Sequence, residues 1–190
     1  MRPSDSGYMI IQSPGGGAAD RLVLEAGRRG LEQAGWRSVL AIEDLEVFVG
    51  PGRPPKVCLV HRRCVLIGTY RPYGQALSAL IGGSRSSDQM ARAAVGGGWG
   101  RYVLVWRTDA GDLAVLRDPS GAVDCLTWQR GGLRLAADQP APEADVLLPA
   151  ALAIDWECLG EIAEQPGLVS DQPPLKGLTA VAPGEYAIVG

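Results

Sequence analysis

The chain has one histidine, His61, and four cysteines (Cys58, Cys64, Cys125 and Cys158) that form no CxxC spacing. A zinc site is therefore short of its usual ligand pattern, and a Cys–His nucleophile pair is improbable. The thiols are expected to be reduced and mostly buried, acting as small apolar groups. Long apolar runs are missing too. Tyr8-Met9-Ile10-Ile11 is too short for the core of a signal peptide, and nothing approaches the ~20 residues of a bilayer crossing, so no membrane partner and a cytoplasmic location are expected. Nor is there a concentrated basic patch: net charge is -3 and the lysines and arginines are scattered, which gives nucleic acid no electrostatic footprint. Neither Gly15-Gly16-Gly17 nor Gly96-Gly97-Gly98 is followed by Lys-Ser/Thr, so both read as turns and not as phosphate loops.

What is present fits one domain, 1–190, with no disordered linker and no repeat. Tyr8 to Ile11 reads as a buried strand ended by Ser13-Pro14-Gly15. A helix follows, with Asp20 as candidate cap, Leu24, Gly27, Leu31 and Ala34 on one face, and Gly35 at its stop. Val39–Ile42, Leu45–Val49, Val57–Val60 and Cys64–Gly68 read as an antiparallel meander, turning at Pro51 to Pro55 and at His61-Arg62-Arg63.

Two short helices are predicted over 75–81 and 87–95, the second capped by Ser86 or Ser87. Tyr102 to Trp106 is apolar on both faces, so this strand belongs at the centre of a layered structure. Trp99, Trp106 and Trp128 are assigned to the core. Asp109 to Asp112 turns into Leu113–Leu116, and the pattern repeats through Val123–Trp128 and Leu133–Ala137. A helix is expected across 150–162, broken at Pro166-Gly167, before a last strand over 185–189. Strands cluster and helices pair without regular βαβ alternation, so the class is α+β with antiparallel sheets.

Three blocks stand in a telling order: Gly98-Trp99-Gly100-Arg101-Tyr102, then Arg117-Asp118-Pro119-Ser120-Gly121, then Ala136-Ala137-Asp138. Together they resemble the N-terminal glutamine amidotransferase-like domain of the asparagine synthetase family, which has a Gly-x-Phe-Ala strand, an Arg-Asp-x-x-Gly turn and a strand ending in Ala-Ser-Glu or Ala-Ser-Asp. Gly68-Thr69-Tyr70 and Ala182-Pro183-Gly184-Glu185-Tyr186 are weaker matches to the same domain. The resemblance covers nearly the whole chain and implies an Ntn-hydrolase-like, four-layer αββα sandwich of two antiparallel sheets. From the residues themselves, Arg117 to Gly121 reads as a tight hairpin turn, with Pro119 fixing φ, Gly121 free to take positive φ and Asp118 accepting local backbone bonds. Arg117 and Asp118 have the alternative of contacting a synthetase domain.

The family's glutaminase uses an N-terminal cysteine exposed by removal of Met1, with its own amine as base. Position 2 here is Arg2, which offers no thiol and blocks removal of Met1. An Asn-Gly pair supplies oxyanion donors worth ~3 kcal/mol each in comparable acyl transfers; the corresponding pair is Ile67-Gly68. The arginine that would clamp the glutamine carboxylate has no basic counterpart in Leu45–Val49. Asp88 reads first as a solvated helix-start aspartate; the resemblance offers the alternative that it aligns with the aspartate that binds the substrate ammonium. Removal of residues 1 to 5 would make Ser6 an alternative N-terminal nucleophile.

These matches imply a catalytically degenerate glutaminase-like domain, the scaffold or interface of an ATP-dependent amide-forming enzyme, with a lasso-peptide cyclase as favoured parent over a β-lactam synthetase. ATP and Mg are expected only in a following synthetase domain carrying Ser-Gly-Gly-x-Asp-Ser, and no metal or cofactor in this chain. The end at Gly190, just past Pro183-Gly184, suggests an excerpt of a longer protein. Expected partners are that synthetase domain and a precursor peptide; a homo-oligomer is compatible. The rivals are an active glutamine-hydrolysing domain that supplies ammonia, and a free-standing peptide- or protein-interaction module.

Overall fold

The computed structural model of the chain describes residues 7–164 and 173–190. Arg2, Ser6 and the break at Pro166-Gly167 lie outside the described residues. In chain order the elements are β1 (Tyr8–Gln12), α1 (Ala18–Gln33), β2 (Arg37–Ile42), β3 (Leu45–Val49), β4 (Val57–His61), β5 (Cys64–Pro72), α2 (Leu77–Gly82), α3 (Ser87–Gly97), β6 (Gly98–Arg107) and β7 (Leu113–Arg117). There follow β8 (Leu126–Arg130), β9 (Leu133–Ala137), a 3-10 turn over Pro142–Leu147, β10 (Ala153–Ile154), α4 (Trp156–Glu164), β11 (Leu175–Lys176), β12 (Thr179–Ala180) and β13 (Tyr186–Val189).

The strands form a six-stranded sheet in the order β12-β8-β9-β1-β3-β2 and a five-stranded sheet in the order β13-β7-β6-β5-β4, with β10 and β11 as a separate small pair. Every pairing is antiparallel. The two-residue period of each strand sorts its side chains into layers. Tyr8, Ile10, Val47, Val65, Ile67, Val103, Val105 and Val115 meet between the two sheets. Their neighbours Met9, Ile11, Phe48, Trp128 and Leu135 pack under Leu24 and Leu31 of α1 and under the 3-10 turn. Those on the other sheet, Leu66, Tyr102, Leu104, Trp106 and Leu116, pack under α2 and α3. Three buried layers between four tiers make the expected αββα sandwich. Tyr102 to Trp106 lies in the central strand of its sheet and is buried on both faces, as its unbroken apolar run requires.

Several local expectations are corrected. Residues 39–69 are not one meander. β2 and β3 pair in the six-stranded sheet, β4 and β5 in the five-stranded one, and the proline-rich Pro51 to Pro55 carries the chain across. Likewise Arg117 to Gly121 is no hairpin but a second crossing, because β7 and β8 belong to different sheets and β8 begins at Leu126. Asp20 does not cap α1. Gly17 holds the cap position without a side-chain bond, and the Asp20 carboxylate instead accepts from the Gly132 N–H at 3.0 Å. Ser86, by contrast, does cap α3, accepting from Gln89. The helix expected across 150–162 is β10 followed by α4 from Trp156. Among the described residues no helix is long and apolar enough to cross a membrane.

Candidate functional site

The matched blocks converge on one end of the sandwich. Ile67, Val103 and Arg117 stand in register across β5, β6 and β7, and Ile67 shares the intersheet core with Tyr8 at the start of β1. The Tyr8 hydroxyl donates to the Asp124 carbonyl at 2.7 Å, and the Tyr8 N–H donates to the Asp138 carboxylate at 3.1 Å. This end therefore gathers Tyr8, Ile67-Gly68, Arg117-Asp118, Asp124, Cys125 and Asp138. Ile67 is fully buried and apolar.

Gly68 takes φ +107, and a Cβ there would collide with the Arg101 carbonyl oxygen, so both the backbone and the neighbouring strand demand glycine. Its N–H donates to the Lys56 carbonyl at 2.7 Å and continues the β4–β5 ladder. Ile67-Gly68 thus offers neither a side-chain donor nor, at Gly68, an open backbone one.

The titratable groups nearby are tuned by burial. Desolvation pushes the Cys125 thiol up to about 12, so it stays protonated at neutral pH and is a poor nucleophile. Burial raises the Tyr8 phenol well above its ordinary value, with Cys125 and the Asp138 and Asp124 carboxylates adding to the shift. Asp138 is held up at about 6 by burial, against the pull of the Tyr8 and Gln139 N–H groups that it accepts. Among the described residues no group of three or more His, Cys, Asp or Glu could hold a metal ion.

Arg117 and Asp118, weighed as interface contacts, are used inside the fold. The Arg117 side chain is 13% exposed and donates to the carbonyls of Val123 (2.8 Å), Gly121 (2.9 Å) and Val181 (3.1 Å), and to the Asp124 carboxylate (2.7 Å). Asp118 is fully buried; it accepts from the Ser120 N–H and hydroxyl, and more distantly from the Tyr102 N–H. The Arg-Asp-Pro-Ser-Gly block is therefore the clamp of a crossing between sheets.

Asp88 is not brought to this end. The Trp106 indole donates to Ser87 and the Tyr70 hydroxyl to the Ala94 carbonyl, so α3 starts over Trp106 and ends over Tyr70. Asp88, in its first turn, pairs with Arg92 at 2.9 Å and lines an outer hollow of about 510 Å³ with Glu185 and Tyr186. Arg2 and Ser6 lie outside the described residues.

Some residues contradict their sequence reading. Trp99 is 56% exposed and not core, whereas Trp106 and Trp128 are buried. Cys58 is exposed and Cys158 half-buried, while Cys64 and Cys125 are buried. The Tyr8, Cys125 and Asp138 grouping was out of reach of sequence reading, since the three positions meet only across sheet pairings; the Ala136-Ala137-Asp138 match was its one local signal.

The class that this architecture defines is an α+β, four-layer αββα sandwich of two antiparallel sheets. Two solved structures are similar over most of it: the glutamine phosphoribosylpyrophosphate (PRPP) amidotransferase from B. subtilis complexed with ADP and GMP, at 13% identity, 96% of this chain and TM-score 0.47, and a structure described as the allosteric regulatory enzyme of purine biosynthesis, at 15% identity, 96% of this chain and TM-score 0.48. The chain spans 46% of the length of each. No protein-family model and no curated protein matches the sequence.

Proposed function

We propose that this chain is a glutamine-amidotransferase-like domain that no longer hydrolyses glutamine and serves as scaffold and interface in an ATP-dependent amide-forming enzyme of the asparagine synthetase type. The observation that carries the reading is the state of Ile67-Gly68. On the resemblance, this pair stands where the family's pair stabilises the tetrahedral oxyanion; Ile67 has no side-chain donor and the Gly68 N–H is spent on Lys56. Losing one such donor costs about 3 kcal/mol of transition-state stabilisation, and here both are missing. The buried Cys125 thiol is no substitute for a nucleophilic cysteine.

In this reading ATP and Mg act in a synthetase domain outside these 190 residues, and a lasso-peptide cyclase is the favoured parent. Such an enzyme activates a carboxylate and uses an internal amine, so it needs no ammonia from glutamine. The test is a glutaminase assay on the purified chain, following glutamate or ammonia release. The expected result is no turnover above the uncatalysed background; measurable glutamine hydrolysis would overturn the reading. Fusing or adding the following synthetase domain and assaying peptide-dependent ATP cleavage to AMP then tests the parent's chemistry.

A further inference from the structure

The β5–β6 ribbon runs past the end of the sandwich. Beyond Ile67 and Val103, the residues that continue their face are Thr69 and Arg71 on β5 and Arg101 and Trp99 on β6, paired as Thr69 with Arg101 and Arg71 with Trp99. All four are exposed. The opposite face is fixed. Tyr70 packs edge-on against Tyr102 with ring centroids 5.2 Å apart and its hydroxyl bonds the Ala94 carbonyl, while the Tyr73 N–H bonds the Gly97 carbonyl. One side of the ribbon is thus anchored on α3 and the other is a rigid, uncovered face beside Gly68.

The chemistry of that face is uneven. Arg28, Arg92, Arg107, Arg117 and Arg134 each hold a carboxylate. Among the described residues Arg71 and Arg101 hold none, as is also true of other surface arginines such as Arg62 and Arg85, but these two share one face. They are diagonal neighbours on one face, within reach of each other's ligands. Arg71 lies over the Trp99 ring, 5.5 Å from its centroid, a cation–π contact that does not consume its N–H donors. Two like charges held together gain by sharing an anion, and guanidinium forks bind carboxylates bidentately. Trp99, 56% exposed, and the adjacent Tyr73, 72% exposed, add apolar contact that a bare anion would not use.

We infer that the Thr69–Arg71–Trp99–Arg101 face binds an acidic peptide segment, with a carboxylate side chain clamped between Arg71 and Arg101 and a neighbouring apolar side chain on Trp99. A symmetric dimer through this face is a poor arrangement, since the same two cations would face each other. The proposal extends the scaffold reading without depending on it: a chain that hydrolysed glutamine could carry the same face. Glutamine turnover would sink the earlier reading and leave this one standing.

The test titrates the purified chain with a short acetylated and amidated peptide alternating glutamate with valine, against its glutamine–valine counterpart, by calorimetry at low salt. The glutamate peptide is expected to bind saturably and to weaken several-fold between about 0.05 M and about 0.3 M salt. Arg71→Ala and Arg101→Ala should each weaken it about tenfold, and Arg101→Lys, which keeps charge but loses the fork, by less. Because these residues are exposed, the variants should keep the wild-type melting temperature. Equal binding of the two peptides, unchanged binding in both alanine variants, or tighter binding of a single-stranded oligonucleotide through the same residues would each overturn the proposal.

Discussion

Replacing Arg117 by methionine keeps the aliphatic stem but removes every donor from a side chain that is 13% exposed. Three of its bonds end on the backbone carbonyls of Gly121, Val123 and Val181, tying the Arg117–Gly121 crossing to the approach of β8 and to the residue after β12. Hydrogen bonds from a charged donor contribute about 1.5–3 kcal/mol each when measured singly, and less when they share one side chain. The bond to Asp124 adds little, because that carboxylate is 74% exposed and an exposed pair contributes about 0–1 kcal/mol. Arg117→Met should therefore cost about 3–5 kcal/mol, or roughly 6–20 °C in Tm for a domain of this size. Arg117→Lys should lose most of that, since one ammonium cannot reach all three carbonyls. Asp124→Asn should cost under about 1 kcal/mol. Urea unfolding of the wild type and the three variants, followed by tryptophan fluorescence, measures all of these. A loss below about 1 kcal/mol for Arg117→Met, or one no larger than that of Asp124→Asn, would refute the assignment of Arg117 as the clamp.

Asp138 gives a prediction with a sign. Its acid form is favoured in the folded state, with a pKa raised from 3.8 to about 6. As pH rises through that window the unfolded chain has already released this proton while the folded chain still holds it, so this group's contribution to stability falls with pH. Relative to Asp138→Asn, the wild type should lose up to about 3 kcal/mol between pH 4 and pH 7 in paired denaturant titrations; a flat difference would refute the burial argument. Thiol accessibility gives another: under native conditions Cys58 should react quickly with an aromatic disulfide reagent, whereas Cys64 and Cys125 should react only on unfolding, burial having raised both thiols. Native-state labelling of Cys125, read by peptide mass mapping, would contradict its placement in the core.

The elements with unbroken apolar runs were legible in the sequence because their pattern is their environment. Tyr8 to Ile11 and Tyr102 to Trp106 are strands covered on both faces, and α1 shows its buried stripe at Leu24, Gly27 and Leu31. Ser86 announced a cap by its chemistry alone. Three short strands, β10, β11 and β12, were missed because two residues carry no period. Trp99 was misplaced for a related reason: it continues the alternation of a buried strand, but its cover stops before it does.

Sequence alone determined most of the residues that avoid water and where the chain turns, since both follow from local side-chain chemistry. Tertiary structure decided which sheet each hairpin joins, because a strand buried on both faces reads the same in either sheet. It also decided that the Gly68 N–H is taken by Lys56, that the Arg117 side chain clamps a crossing between sheets, and that the arginines beside Trp99 face solvent. Each of these depends on partners far away in sequence, which only the stacking of the two sheets brings within bonding distance.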